Sequence, residues 1–465
     1  MVGQNAGWQM PDDLTAMETD GLDFRRVSAI LGAVEVGDLA RVADLMEPLH
    51  AADIADLLEQ IGGADRRALL ALWSVGIDGE VLSEIDDAIR EEVIEALPAS
   101  VVRDAMRELD SDDIVDILED LDPPEQGVIL DGLDLADRVA VQAALAFPEG
   151  SAGRLMQREV VVAPAHWTVG EAIDFLREAV ALPDQFYHVI LVDPRMQPTG
   201  YVTLGRVLSS ARAVRLDTIT EDSFRVIEAE EAEADVAYQF NQYHLISAPV
   251  VDKAGRLVGV ITIDDAMNVL DEEHEEDMLR LAGVGDDSSL SDGAFDTAKA
   301  RLPWLVVNLF TASLSALVIT AFEGTISTLV VLAALMPIVA STGGIAGTQS
   351  LAVAVRALAT RSLTPANARR VVGRELGAGV LNGIGLAVLL GFGGYLVFGD
   401  PVLGAVLGAA MIVNQVVAAL GGVLVPLTMS RLGLDPALAS GTFVTTLTDV
   451  MGFFAFLGLA TLVLL

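Results

Sequence analysis

The chain has no cysteine among its 465 residues, which excludes disulfides, thiolate zinc sites and cysteine nucleophiles. Basic residues are scarce: 28 Lys and Arg stand against 67 Asp and Glu, a net charge of −39. So acidic a surface repels phosphates. It argues against nucleic acid as a partner and suits a surface that gathers cations. The first residues, Met1-Val-Gly-Gln-Asn-Ala-Gly7, lack the basic and apolar regions of a signal peptide. Membrane insertion is therefore expected to be directed by later segments. Lysine is absent from residue 301 onward, and no Gly-x-Gly-Asp occurs in the apolar runs found there. That absence, with Asp435 and Asp449 only 14 residues apart at a single span rather than on two facing ones, disfavours an intramembrane aspartyl protease.

What is present divides sharply near Arg301. Residues 301–465 carry seven Arg and five acids, a net of +2, which leaves −41 on the first 300 residues. The acidity belongs to the part expected to be soluble. After a polar tail over 1–25, residues 26–147 read as short amphipathic helices. Within them Asp53-Ile-Ala-Asp56-Leu-Leu-Glu59 and Asp113-Ile-Val-Asp116-Ile-Leu-Glu119 share one pattern, with apolar residues at helical spacing behind an acidic start. Stacked helical hairpins forming a short superhelix are expected. Their carboxylates have two readings, a solvated face or an ion-sensing surface.

From residue 148 the period changes. Tyr187-His-Val-Ile-Leu-Val-Asp193 runs through a turn to Gly200-Tyr-Val-Thr-Leu204, and Ile246-Ser-Ala-Pro-Val-Val-Asp252 runs to Gly259-Val-Ile-Thr-Ile263. Each unit has Val-Asp, six residues, Gly, two apolar or aromatic residues and Thr, followed by a helix. This is a tandem strand, turn, strand, helix repeat over 148–210 and 211–270. It resembles a pair of cystathionine-β-synthase-type (CBS) domains, which commonly sense ligands and regulate something else. A strongly acidic connecting helix follows over 271–300, where clustered carboxylates repel one another unless protons or divalent ions offset them.

Residues 301–465 contain five apolar runs, 302–322, 324–355, 376–399, 401–430 and 436–465, each long enough to cross a bilayer. With the first domains cytoplasmic, Arg356, Arg361, Arg369, Arg370, Arg374 and Arg431 fall inside, as the positive-inside rule requires. The C-terminus is then expected outside. Asp449 is the one charge within the last run, about 20 Å from its start at 1.5 Å per residue. A lone Asp near mid-membrane costs roughly 2.5 to 3.5 kcal/mol and calls for a partner, water or an ion. It is either a protonated group bonded to Thr445, Thr446 or Thr448, or a cation site. In the second run, Pro337 removes a backbone donor and Gly343, Gly344 and Gly347 permit close helix approach, in keeping with a pore wall or with tight packing alone.

The chain resembles the MgtE magnesium channel and transporter family over nearly its whole length. The residues carrying this are Arg301-Leu-Pro-Trp304, Leu335-Met-Pro337, Gly343-Gly344 through Gln349, Gly373-Arg-Glu375, Arg431-Leu-Gly-Leu-Asp435-Pro, and Thr445-Thr-Leu-Thr448-Asp449-Val-Met-Gly452. Ser151-Ala-Gly-Arg-Leu-Met156 and the repeats above agree. The resemblance implies a homodimer in the cell membrane, importing divalent cations through a pore lined by the second and fifth spans of both copies. It implies Mg²⁺ as substrate and regulator, with ATP as a possible ligand of the CBS pair. Metal-handling residues would be Asp449 in the pore, Asp435 at its cytoplasmic end, and Asp265, Glu273, Glu276 and Asp277 in gating. The pore lining would include Pro337, Gly343, Gly344, Gln349, Thr445 and Thr448. This chain departs from the family at Ile345, where Asn is usual, and at Thr442, where Pro is usual. The rival reading is a CBS-containing membrane nucleotide sensor that moves no ions, and flux separates the two. A transporter preferring Co²⁺ or Mn²⁺ is a further alternative.

Overall fold

A computed structural model describes residues 22–179, 182–183, 186–284, 293–438 and 440–465. The tail over 1–21 and most of the Gly/Asp/Ser-rich break, 285–292, lie outside the described residues. The described chain forms two units, divided between Glu272 and Glu273.

The first unit opens with ten short α-helices between Phe24 and Ala144. Both expected repeats are helices, Ala51–Gln60 and Ser111–Glu119, and their apolar residues Ile54, Leu57, Leu58, Ile114, Ile117 and Leu118 are buried in one core. Polar groups tie successive helices together. Arg66, only 3% exposed, donates through Nε to the Leu58 carbonyl at 2.8 Å and pairs with Glu92. Arg90, 4% exposed, donates likewise to the Ile85 carbonyl at 3.1 Å and pairs with Asp87 and Asp116 at 2.9 and 3.0 Å. A buried guanidinium needs this full set of acceptors, because desolvation would otherwise exceed the attraction.

Two three-stranded sheets follow. In the first, β1 (Val162–Pro164) runs parallel to β2 (His188–Val192), which is antiparallel to β3 (Pro198–Thr203). In the second, β4 (Ile227–Glu228) runs parallel to β5 (Ser247–Val251), which is antiparallel to β6 (Leu257–Thr262). Both hairpins carry an irregularity at the same place, between Leu191 and Val192 and between Val250 and Val251. The repeated Val-Asp has a physical role. Asp193 accepts from the backbone N–H groups of Arg195 and Gln197, and Asp252 from those of Ala254 and Arg256, so each side chain closes its own hairpin turn. At equivalent positions His188 and Ser247, both buried, hydrogen-bond to each other and join the two modules.

The acidic helix, Ile263–Ala282, starts directly after β6, so the helix that follows the second repeat and the acidic connecting helix are one. Among the described residues of the second unit, five helices are long and apolar enough to cross a membrane: Thr297–Ala321, Val331–Ala359, Ala368–Phe398, Pro401–Arg431 and Gly441–Leu464. The fourth is the most buried and packs against the second, third and fifth. Three boundaries differ from those read in the sequence. The start of the run 324–355 belongs to a separate short helix, Glu323–Thr328, and the second span proper begins at Val331 and continues past Arg356. The third helix begins at Ala368, eight residues early, because helical backbone extends beyond the apolar stretch. The fifth begins only at Ser440, since the Asp435 carboxylate accepts from the Ala437 N–H at 2.7 Å and holds a turn at Asp435-Pro436.

Candidate functional site

The membrane unit places the second and fifth spans side by side through glycine. A Cβ at Gly347 would lie 2.6 Å from Cγ1 of Val444 on the fifth span, and one at Gly343 would lie 2.1 Å from Nδ2 of Asn414 on the fourth. These helices approach as closely as they do because those side chains are missing. Beside the contact runs an open groove of about 530 Å³ lined by Gly344, Ile345, Thr348, Gln349, Ala352 and Thr445. Three of the six expected lining residues, Gly344, Gln349 and Thr445, thus share one groove. Pro337 is exposed within the Val331–Ala359 helix, which is continuous through it. The other two need correction within the protomer. Gly343 is buried against Asn414, and Thr448, 0% exposed, packs its Cγ2 toward Gly347, so both stand behind the groove rather than on it.

Asp449 is half-buried on the fifth span, four residues after Thr445 and so on the same helical face. Among the described residues its carboxylate has no ion pair and no hydrogen bond. The bonds to Thr445, Thr446 or Thr448 considered in the sequence reading do not form. Those hydroxyls donate instead to carbonyls of their own helix, at Gly441, Thr442 and Thr445. Because the helix starts at Ser440, Asp449 is about 14 Å along it rather than 20 Å, still well inside the apolar layer.

At the near end of this span, Asp435 meets the acidic helix. Arg280 lies 2.9 Å from Asp435 and 2.8 Å from Glu276, and Leu281 packs on a cluster of Leu351, Val355, Ala437 and Val444. A Cβ on Gly441 would come within 3.5 Å of the Leu281 carbonyl. The end of the acidic helix therefore sits on the ends of the second and fifth spans. Burial raises the Glu273 carboxyl above its usual range, and Glu276 and Asp277 raise it further. Asp277 is raised by burial and by Asp435. Arg280 opposes both shifts. Glu273, Glu276 and Asp277, expected to act in gating, gather with Asp435, expected at the cytoplasmic end of the pore, at this end of the membrane unit, whereas Asp265 belongs to the first unit.

There, Asp265 opens its helix with the Thr262 hydroxyl donating to it at 2.6 Å. Burial holds its carboxyl up at about 6, despite that bond. Asp112, only 7% exposed, is raised well above the ordinary range by burial and then by Asp265 and Asp113. Burial and Asp265 likewise raise Asp113 to about 7. Burial brings Glu272 to about 7, with Asp116 and Asp87 adding to the effect. So much negative charge in one place favours protons or a divalent ion. Asp265, Asp113 and Glu272 each contribute stability that is fully present below the ordinary value of about 4 and is lost as pH rises through about 6 to 7. In divalent-free buffer, tryptophan-monitored melting of the full chain is accordingly expected several degrees lower at pH 8 than at pH 5.5, with millimolar Mg²⁺ removing the difference. Equal melting at both pH values without divalent ions would refute the cluster's role.

Sequence reasoning did not single out Arg280, Glu272, Asn414 or Gln415. Asp112 and Asp113 were seen only as part of a repeat. Nothing along the chain marks which carboxylates of an acidic superhelix will meet another domain.

These features define a class: a polytopic membrane protein with a carboxylate, Asp449, inside its last span, preceded by helical and CBS modules bearing buried acids. The family model for the divalent cation transporter MgtE matches residues 336–459, that for the MgtE intracellular N domain matches 49–150, and that for the CBS domain matches 152–212 and 219–272. The magnesium transporter MgtE of Thermus thermophilus is 33% identical over 329 residues, 70% of this chain and 73% of that protein. Its Bacillus subtilis counterpart is 28% identical over 69% of this chain and 71% of its own length. A crystal structure of the cytosolic domain of the Mg²⁺ channel MgtE with ATP aligns with 52% of this chain and 99% of that one, at 28% identity and a TM-score of 0.48. The chain belongs to the MgtE family.

Proposed function

We propose that this chain is a homodimeric Mg²⁺ channel of the cell membrane that admits the ion to the cytoplasm down its gradient. The observation that carries this reading is Asp449, a carboxylate inside the fifth span without a salt partner, on the face that continues the groove of Gly344, Gln349 and Thr445. A groove open along one side is half a pore, which a second copy about a two-fold axis would complete. Mg²⁺ sheds water reluctantly, so two Asp449 carboxylates would hold it through its hydration shell. Ile345 and Thr348 line the same groove, so its wall is less polar than where the family has Asn.

Gating follows from the acids. With the soluble domains and the C-terminal end of the second span in the cytoplasm, and the C-terminus outside, the Arg280–Asp435 pair and Leu281 close the inner mouth. Mg²⁺ among Asp112, Asp113 and Asp265, and near Glu273, Glu276 and Asp277, offsets their repulsion and favours that docked state. Rising cytoplasmic Mg²⁺ thus closes the channel. ATP at the CBS pair belongs to the same reading on the strength of the CBS match; equilibrium dialysis of the full chain with ATP is its test. The transport reading is tested by Mg²⁺ entry into vesicles holding a Mg²⁺-sensitive dye. Entry well above that of protein-free vesicles is expected, and its absence would favour the sensor that moves no ions.

A further inference from the structure

A second polar cavity, of about 190 Å³, lies on the other flank of the second span, between it and the third and fourth. Its polar lining comes from three helices: Gln349 and Ser350, Glu375 and Asn382, and Gln415. From Glu375 to Asn382 it extends about 10 Å along the third helix. Glu375 has a side chain only 16% exposed and accepts from the Ser350 hydroxyl at 3.3 Å. Arg374, its one ion-pair partner among the described residues, is 69% exposed and stands 3.4 Å away at the rim, where solvent weakens the pair. Gln415, 2% exposed, donates its Nε2 to the Thr342 carbonyl at 3.2 Å and lines the cavity.

We propose that this cavity is a second cation site, which holds a hydrated divalent ion through its water shell. The lining supplies what such an ion needs. One carboxylate provides the charge, and the amide and hydroxyl oxygens of Gln349, Asn382, Gln415 and Ser350 accept hydrogen bonds from the outward-pointing protons of metal-bound water. The size suffices, since a water needs only roughly 10 to 15 Å³ of such space. An anion would meet the Glu375 carboxylate, and lipid tails would leave that carboxylate and the amides of Gln349 and Asn382 facing hydrocarbon. Gln349 lines both this cavity and the groove of the second and fifth spans. The site therefore adjoins the pathway and serves as a lateral store from which an ion reaches it. The proposal deepens the channel reading and rests on it for that last step.

The absence of cysteine makes one engineered thiol unique. Ala378→Cys at the cavity rim, carrying a nitroxide in full-length protein in vesicles, reports nearby Mn²⁺ by broadening of its spectrum. We expect Mn²⁺ to broaden this label and excess Mg²⁺ to reverse the effect. Glu375→Gln should raise the Mn²⁺ needed at least tenfold, and Glu375→Asp should restore most of the affinity. Asn382→Leu, at an exposed position, should weaken binding several-fold and serves if Glu375→Gln does not fold. Broadening that is unchanged by both Glu375→Gln and Asn382→Leu, or none at all, overturns the proposal. Mg²⁺ entry is measured on the same vesicles. Glu375-dependent broadening without entry leaves the site standing and removes the channel reading; entry with Glu375-independent broadening does the reverse.

Discussion

Asp449→Ala is expected to lower Mg²⁺ entry by about a hundredfold, to the level of protein-free vesicles, while the protein keeps its oligomeric state and melting temperature. The expectation rests on an imbalance. An ionised carboxylate about 14 Å along a membrane helix carries an insertion cost of roughly 2.5 to 3.5 kcal/mol. No ion pair or hydrogen bond within the described protomer offsets it. A purely structural Asp would be bonded by the neighbouring threonines, whose hydroxyls are all occupied by their own helix. Removing the carboxylate should therefore leave the fold as stable or slightly more so, and take away only the charge that draws a dication into the membrane. Asp449→Asn keeps the shape and an acceptor oxygen for hydrated metal, and should retain a small fraction of the flux. Full uptake by Asp449→Ala would mean that the ion crosses elsewhere.

Arg280→Glu should have the second largest effect and the opposite sign, a channel that stays open at cytoplasmic Mg²⁺ concentrations that close the unaltered protein. Arg280 bridges Glu276 of its own helix and Asp435 at the head of the fifth span. Its side chain is 21% exposed and that of Asp435 28%, so the pair is partly shielded and stronger than a surface contact. Reversal of its charge sets four carboxylates together, those of Glu276, Asp277, Asp435 and the new Glu, where Asp277 and Glu273 are already raised by burial and by their neighbours. The Mg²⁺ needed for half-inhibition should rise at least tenfold, about 1.4 kcal/mol against the docked state. Arg280→Lys, which keeps the charge, should shift it far less. Inhibition curves that superimpose for Arg280→Glu and the unaltered protein would show that the acidic helix does not close the mouth.

Much of this was legible in the sequence, and the limits have physical causes. The CBS units could be read because each repeats a whole local device, a strand ending in an Asp that closes its own turn, before a second strand. The spans could be read because lipid permits few alternatives to a long apolar helix. Where a side chain bonds locally against the apolar pattern, as Asp435 does at the Ala437 N–H, the helix begins later than hydropathy suggests. Gly343 and Thr448 carry the same motif whether they face a pore or a neighbouring helix, and Asn414 decides the matter for Gly343 from 71 residues away. Asp112 and Asp113 look like any acidic first turn until Asp265 is brought to them by the fold. Arg280 is one basic residue in an acidic helix, and only its distance from Asp435 gives it a part.

The most direct test of the account is Mg²⁺ flux through the purified full-length protein in vesicles, recorded with the soluble domains facing first micromolar and then tens of millimolar Mg²⁺ at constant ionic strength. The account predicts rapid flux in the first condition and at least a tenfold fall in the second, with the fall lost in Arg280→Glu and all flux lost in Asp449→Ala. No flux above that of protein-free vesicles, or flux indifferent to Mg²⁺ on that face, would contradict it.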